Sequence, residues 1–156
     1  MKFTFKQEFL TLGSRGKIYD ENQNVAYYFE SEVLRIFRTT RLYDLDNKEV
    51  VRVSRSPMIV KQKYDLYIDD KYFDTFDCPL FHQYTIKSTE NNITLKATGL
   101  FAVSYDVYMG NEFLGNISRQ VFYLIDTFVI DVLDTKNKNL MIGISLILDL
   151  MIDSRK

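Results

Sequence analysis

The sequence is poor in the residues that punctuate or cross-link a chain. Its 156 residues include 2 Pro, 6 Gly, one cysteine (Cys78), one histidine (His82) and no Trp. So little Pro and Gly excludes a collagen-like chain and argues against a disordered one. A lone cysteine forms no internal disulfide, which fits a reducing cytosol, and a cytoplasmic location, in solution or peripheral at a membrane, is expected on that ground. One Cys and one His do not build a zinc site of the usual nitrogen and sulfur type. A catalytic histidine needs a nucleophile within reach, and no Gly-x-Ser-x-Gly elbow offers one. His82 is therefore read as structural and the chain as no enzyme. The formal net charge is −1, whereas a nucleic-acid backbone binder would be basic, so nucleic acid is not an expected partner. The start, Met1 to Glu8, has no continuous apolar run of the kind a secretory signal requires.

Two acidic stretches invite a calcium reading and fail it. Asp20-x-Asn22-x-Asn24 opens like a calcium loop but has Val25 at the sixth position and Ser31 at the twelfth. Asp44-x-Asp46 has Arg55 at the twelfth, where a bidentate Glu belongs. Gly13-Ser14-Arg15-Gly16 is not followed by a helical pattern, as a phosphate-binding loop would be. Neither a metal nor a cofactor is expected.

What the chain has in quantity is aromatic residues, 12 Phe and 11 Tyr, which favour half-buried pleated surfaces. Apolar and polar residues alternate with period two over long stretches. Tyr64, Leu66 and Ile68 share one face; so do Ile93, Leu95 and Ala97, then Phe101, Val103, Tyr105 and Val107, then Phe128, Ile130 and Val132. One apolar and one polar face is what an antiparallel sheet with one wet side needs. Asp20 to Asn24, Asp46-Asn47-Lys48 and Gly110-Asn111 have turn chemistry. They divide Lys17–Tyr19 from Val25–Phe29, Arg41–Leu45 from Glu49–Val53, and Phe101–Met109 from Glu112–Ile117. Lys17-Ile18-Tyr19-Asp20 before Val25 is echoed by Arg41-Leu42-Tyr43-Asp44 before Val50, so the shared unit is a hairpin with an acidic turn.

The exception is Leu140–Ile152, where ten of thirteen residues are strongly apolar. As a helix over about 139–152 it would be apolar all round, a core or membrane pattern. At about 20 Å it is short against a hydrocarbon core of about 30 Å, and Asp149 interrupts it. A single sheet would leave half of it bare, whereas a ring of strands covers every side. The fold expected is one all-β domain over residues 1–156, a closed antiparallel barrel enclosing this helix.

The chain resembles the LURP-one-related family, within the tubby C-terminal-like group that includes the phospholipid scramblases. The stretches that carry the resemblance are Lys17–Val25, Leu42–Val50, Phe101–Tyr108 with Gly115–Arg119, and Tyr123–Val132 running into the apolar helix. The resemblance implies a barrel of about twelve strands around a central helix. The first turn departs from the family by having Gln23 where Gly is frequent. No phosphoinositide-binding residues of tubby proteins map onto a motif here, and no cysteine cluster for lipidation is present.

One charge feature stands out. Arg35, Arg38, Arg41, Lys48, Arg52, Arg55, Lys61 and Lys63 face only Asp44, Asp46 and Glu49 in the same window. On neighbouring strands Arg35, Arg38, Arg41, Arg52, Arg55, Lys61 and Lys63 would form a patch for anionic headgroups or phosphate. Aromatics beside them, such as Phe37 and Tyr43, would suit an interface. The plainer account, which the residues favour, is a solvated outer face with edge-protecting charges. The expected function is a non-catalytic binding or scaffolding module for an anionic phospholipid surface or a protein partner. The alternatives are a scramblase-like protein with the helix inserted in a membrane, and a small-ligand carrier or unrecognised enzyme. A carrier of the lipocalin kind needs a hollow barrel, which a buried helix would fill.

Overall fold

A computed structural model describes residues 1–6, 15–32, 38–56, 62–78, 85–99, 104–122 and 125–153. Twelve strands follow one another: β1 (Lys2–Lys6), β2 (Gly16–Asp20), β3 (Val25–Ser31), β4 (Thr39–Tyr43), β5 (Glu49–Arg55), β6 (Gln62–Ile68), β7 (Lys71–Cys78), β8 (Thr85–Ser88), β9 (Ile93–Thr98), β10 (Ser104–Met109), β11 (Glu112–Phe122) and β12 (Ile125–Val132). A single turn of 3-10 helix (Thr135–Asn137) leads into α1 (Lys138–Asp153). Each strand pairs antiparallel with its neighbours in sequence, and β1 pairs with β12 to close the barrel. The fold is the one expected, a closed twelve-stranded antiparallel barrel with one C-terminal helix.

Alternation decides which side chains line the lumen. Tyr64 and Leu66, Ile93 and Leu95, Tyr105 and Val107, and Phe128, Ile130 and Val132 are all buried. Phe101 and Val103 lie outside the described residues. Phe5 stacks on Phe128 with ring centroids 4.8 Å apart and meets Phe29 edge-on at 5.6 Å, geometries that aromatic pairs prefer. Inside, the apolar side chains of α1 from Leu140 to Met151 are at most 5% exposed. α1 lies close against the wall at Gly143, where an added Cβ would lie 2.8 Å from Leu66 Cδ1 and 3.1 Å from Val51 Cγ1. The Tyr27 hydroxyl donates to Asn139 Oδ1 at 2.9 Å and ties β3 to the start of the helix. Burial, with Asp44 nearby, pushes the Tyr27 pKa up to about 12, so it stays a donor throughout the neutral range.

The acidic hairpins repeat atom for atom. Asp20 Oδ1 accepts from the backbone N–H of Asn22 and Asn24, each at 2.9 Å. Asp44 Oδ1 accepts from Asp46 at 3.0 Å and Lys48 at 2.9 Å. The carboxylates that suggested calcium loops thus each organise their own turn. Leu45, expected to end a strand, sits in the second turn and is 64% exposed. Gln23 (φ 65°) and Asn47 (φ 62°) hold the same left-handed position. Asn tolerates that conformation; Gln does so at a cost of about 1–2 kcal/mol that Gly avoids. Gln23→Gly gives back part of this through unfolded-chain entropy, so it should raise Tm by about 1–4 °C. Differential scanning calorimetry checks this; an unchanged or lowered Tm would show the turn is unstrained.

Among the described residues, strict alternation fails in four places, each just after a tight turn. Register shifts leave one extra residue in β3, β5, β7 and β11, at Ala26, Val50, Phe73 and Leu114. Such bulges bend and twist a strand and help a sheet close. At the last, Gly115 has φ 149°, and a Cβ there would overlap the Asp131 carbonyl oxygen of β12.

The β8–β9 turn is held from below. Asp74, fully buried on β7, accepts at Oδ1 from the N–H groups of Thr75 (2.8 Å), Thr89 (3.1 Å) and Glu90 (2.9 Å), and at Oδ2 from Asn91 N–H (2.8 Å). Burial pushes its pKa up, but the bonds from Asn91, Ser88, Glu90 and Thr75 outweigh that and hold it below the ordinary carboxylate value.

Candidate interaction face

The closed barrel constrains where anything can bind. Among the described residues each of the twelve strands has a neighbour on both sides, which leaves little edge for strand addition. The helix occupies the lumen, which removes the hollow interior a lipocalin-like carrier would need. Among the described residues, no helix is long and apolar enough to cross a membrane, and no group of three or more His, Cys, Asp or Glu could hold a metal ion. What remains is the outer wall and the two mouths.

On the outer wall, Glu30 of β3, Arg41 of β4, Arg52 of β5, Tyr67 of β6 and Tyr72 of β7 are successive register partners and form one row across five strands. The Arg52 guanidinium lies 4.5 Å from the Tyr67 ring centroid, and Tyr67 meets Tyr72 edge-on at 5.8 Å. Arg41 and Arg52 are opposed like charges, which alone would destabilise the pair of strands. Glu49 resolves this by reaching Arg41 Nε at 3.1 Å and Arg52 Nη1 at 3.2 Å. Glu32 bonds Arg41 at 2.9 Å and Asp70 bonds Arg52 at 3.2 Å. The Glu32 hydrogen bond and the nearby carboxylates raise the Arg41 pKa, keeping it a fixed cation. Alongside, Arg15 donates to Glu30 (2.6 Å) and Asn47 (2.9 Å) and stacks over Tyr43 at 4.9 Å.

The structure divides the basic residues singled out from the sequence. Arg35, Lys61 and Phe37 lie outside the described residues, as does His82. Arg41 and Arg52 share the outer wall. Lys63 is also on it, 3.8 Å from Asp77. Arg38 and Arg55 are joined through their backbones at 2.9 Å and share the inward parity of Thr40 and Val53, at the mouth away from the tight turns. The apparent excess of positive charge also shrinks, because Glu30, Glu32, Asp70 and Asp77 come in from outside the window. The residues missed were Arg15, Tyr67, Tyr72 and these carboxylates. Pairing Arg41 with Arg52 from the turn alone fails by one residue because of the bulge at Val50.

These features define a class: a closed antiparallel barrel filled by its own C-terminal helix. The model of the LURP-one-related family matches residues 1–149, and the chain belongs to that family. An X-ray structure of a protein from Arabidopsis thaliana has the same fold, with a TM-score of 0.54, 13% identity, and coverage of 99% of this chain and 92% of that one. No curated protein matches the chain.

Proposed function

We propose that the protein is a non-catalytic binding module that engages a protein partner through the outer wall of β3–β7. The observation that carries this is the Arg–Tyr row, from Arg41 through Arg52 and Tyr67 to Tyr72. Arg and Tyr are the residues enriched where protein interfaces concentrate their energy. Here they are already ordered by stacking and cross-strand ion pairs, so less entropy is lost on binding. A phospholipid surface is favoured less, because the row's cations are matched by Glu30, Glu32, Glu49 and Asp70 and offer little net attraction to an anionic layer.

The test is affinity capture from cells with wild-type protein, Arg52→Glu/Tyr72→Ala, and Gln120→Arg on β11 across the barrel. Partners retained by Gln120→Arg and lost by the row variant are the expected result, with Tm of both variants near wild type. Capture unaffected by the row variant overturns the proposal. Sedimentation with phosphatidylserine vesicles at low salt, abolished by Arg52→Glu, would replace it with the lipid reading.

A further inference from the structure

A half-open cleft of about 480 Å³ lies at the barrel mouth where α1 enters. It is bounded by the β6–β7 turn, the end of β10 and the 3-10 turn. Its size falls within the range of small-molecule sites. Ile68, Phe73, Met109 and Leu140 supply an apolar lining, and Phe73 is there because the β7 bulge adds it. Met side chains adapt to varied shapes, and the Tyr72 ring forms part of the wall.

The charged side chains lining the cleft are two lysines against one carboxylate. Lys71 and Lys136 flank the cleft, with Asp69 as the one carboxylate on it. Lys71 makes no ion pair among the described residues. Lys136 stands 3.9 Å from Glu112 and 3.8 Å from Asp134, beyond hydrogen-bond length, so its ammonium can turn to a ligand at little loss. Asn139 already accepts the Tyr27 hydroxyl through its oxygen, which leaves its amide N–H groups as the donors it can offer. An apolar lining with two ammonium groups and an amide donor suits a ligand with an apolar body and one negative end.

We propose that this cleft binds a small organic carboxylate with an aromatic or aliphatic body, held by Lys71 and Lys136 at the anionic end and by Phe73, Met109 and Tyr72 along the body. A ligand here sits outside the lumen, so the filled barrel does not oppose it, and the site meets the Arg–Tyr row at Tyr72, the residue the two share.

The experiment is a titration of the two-dimensional amide spectrum of 15N-labelled protein with 4-phenylbutyrate, its uncharged primary amide, and 4-phenylbutylammonium. The expected result is shifts at residues 68–73, 109 and 136–140, with the carboxylate binding about 5-fold or more tighter than the amide and the ammonium weakest. Lys71→Gln/Lys136→Gln should remove the advantage of the carboxylate over the amide while leaving Tm and the rest of the spectrum in place. Equal binding of carboxylate and amide, tighter binding of the ammonium, shifts centred elsewhere, or no response up to about 10 mM would each overturn the proposal.

Discussion

Truncation after Asn139 should abolish cooperative melting. The deleted segment holds Leu140, Met141, Ile142, Ile144, Leu146, Ile147, Leu148, Leu150 and Met151, all nearly or fully buried. At about 1.5–3 kcal/mol for each fully buried side chain, the loss is on the order of 13 kcal/mol or more. That matches or exceeds the whole net stability of an ordinary domain, about 5–15 kcal/mol. The wall loses as well, because Leu42, Val53, Leu66 and Phe76, now buried, would line a void. The truncated chain should show no sharp transition in calorimetry and should bind a hydrophobic dye at neutral pH, as loosely packed states do. A sharp transition near the wild-type Tm would mean that the strands hold themselves up and that the helix is merely lodged among them.

Asp74→Ala should be the most damaging single substitution on the barrel wall. It strips the acceptor from the backbone N–H groups of Thr75, Glu90 and Asn91 and one of two from that of Thr89, which also donates to the Thr75 carbonyl at 3.0 Å. Each buried donor left without a partner costs about 1–3 kcal/mol. Allowing for water reaching some of them, a loss of about 4 kcal/mol is expected, or a fall in Tm of about 8–16 °C. Asp74→Asn keeps one acceptor oxygen and should lose about half as much. The pH dependence has a definite sign. Because the folded carboxyl ionises below its ordinary range, its stabilisation is complete above about pH 4 and drains away as pH falls through the folded value. The Tm gap between wild type and Asp74→Asn should therefore be wide at pH 7 and narrow towards about pH 3. A gap that stays constant with pH would show that the ionised carboxylate does not act through these bonds.

The barrel was legible in the sequence for a physical reason: a wall with one wet and one dry face imposes period two, and Tyr64-Asp65-Leu66 or Ile130-Asp131-Val132 display it without interruption. α1 was legible because its greasy surface has no polar side to leave in water; the observed Lys138–Asp153 differs from the expected span by a residue at each end. The four bulges were not legible, since an inserted residue such as Val50 or Leu114 is itself apolar and reads as ordinary strand. The proposed interaction face was only half visible for the same reason. Local counting found Arg41 and Arg52, but their partners Glu32, Asp70 and Tyr67 reach them through cross-strand pairing, which depends on the register that the bulges shift. Asp74 was invisible because a buried aspartate on a strand looks like any other polar residue until the turn above it is in place.

The seam between β1 and β12 has a bearing on how the chain is made. Five residue pairs join the first strand to the last, and the plug follows immediately after that last strand. On the ribosome, β1 must wait with one flank bare until almost all of the domain has been synthesised, and the helix that fills the ring is made after the strand that closes it. Encirclement and capture are then both late events at the far limit of sequence separation, where assembly is slow. The interval before both are complete, with an unsatisfied flank and an unplugged interior, is when this ring-closed protein is most open to a chaperone or to its own copies.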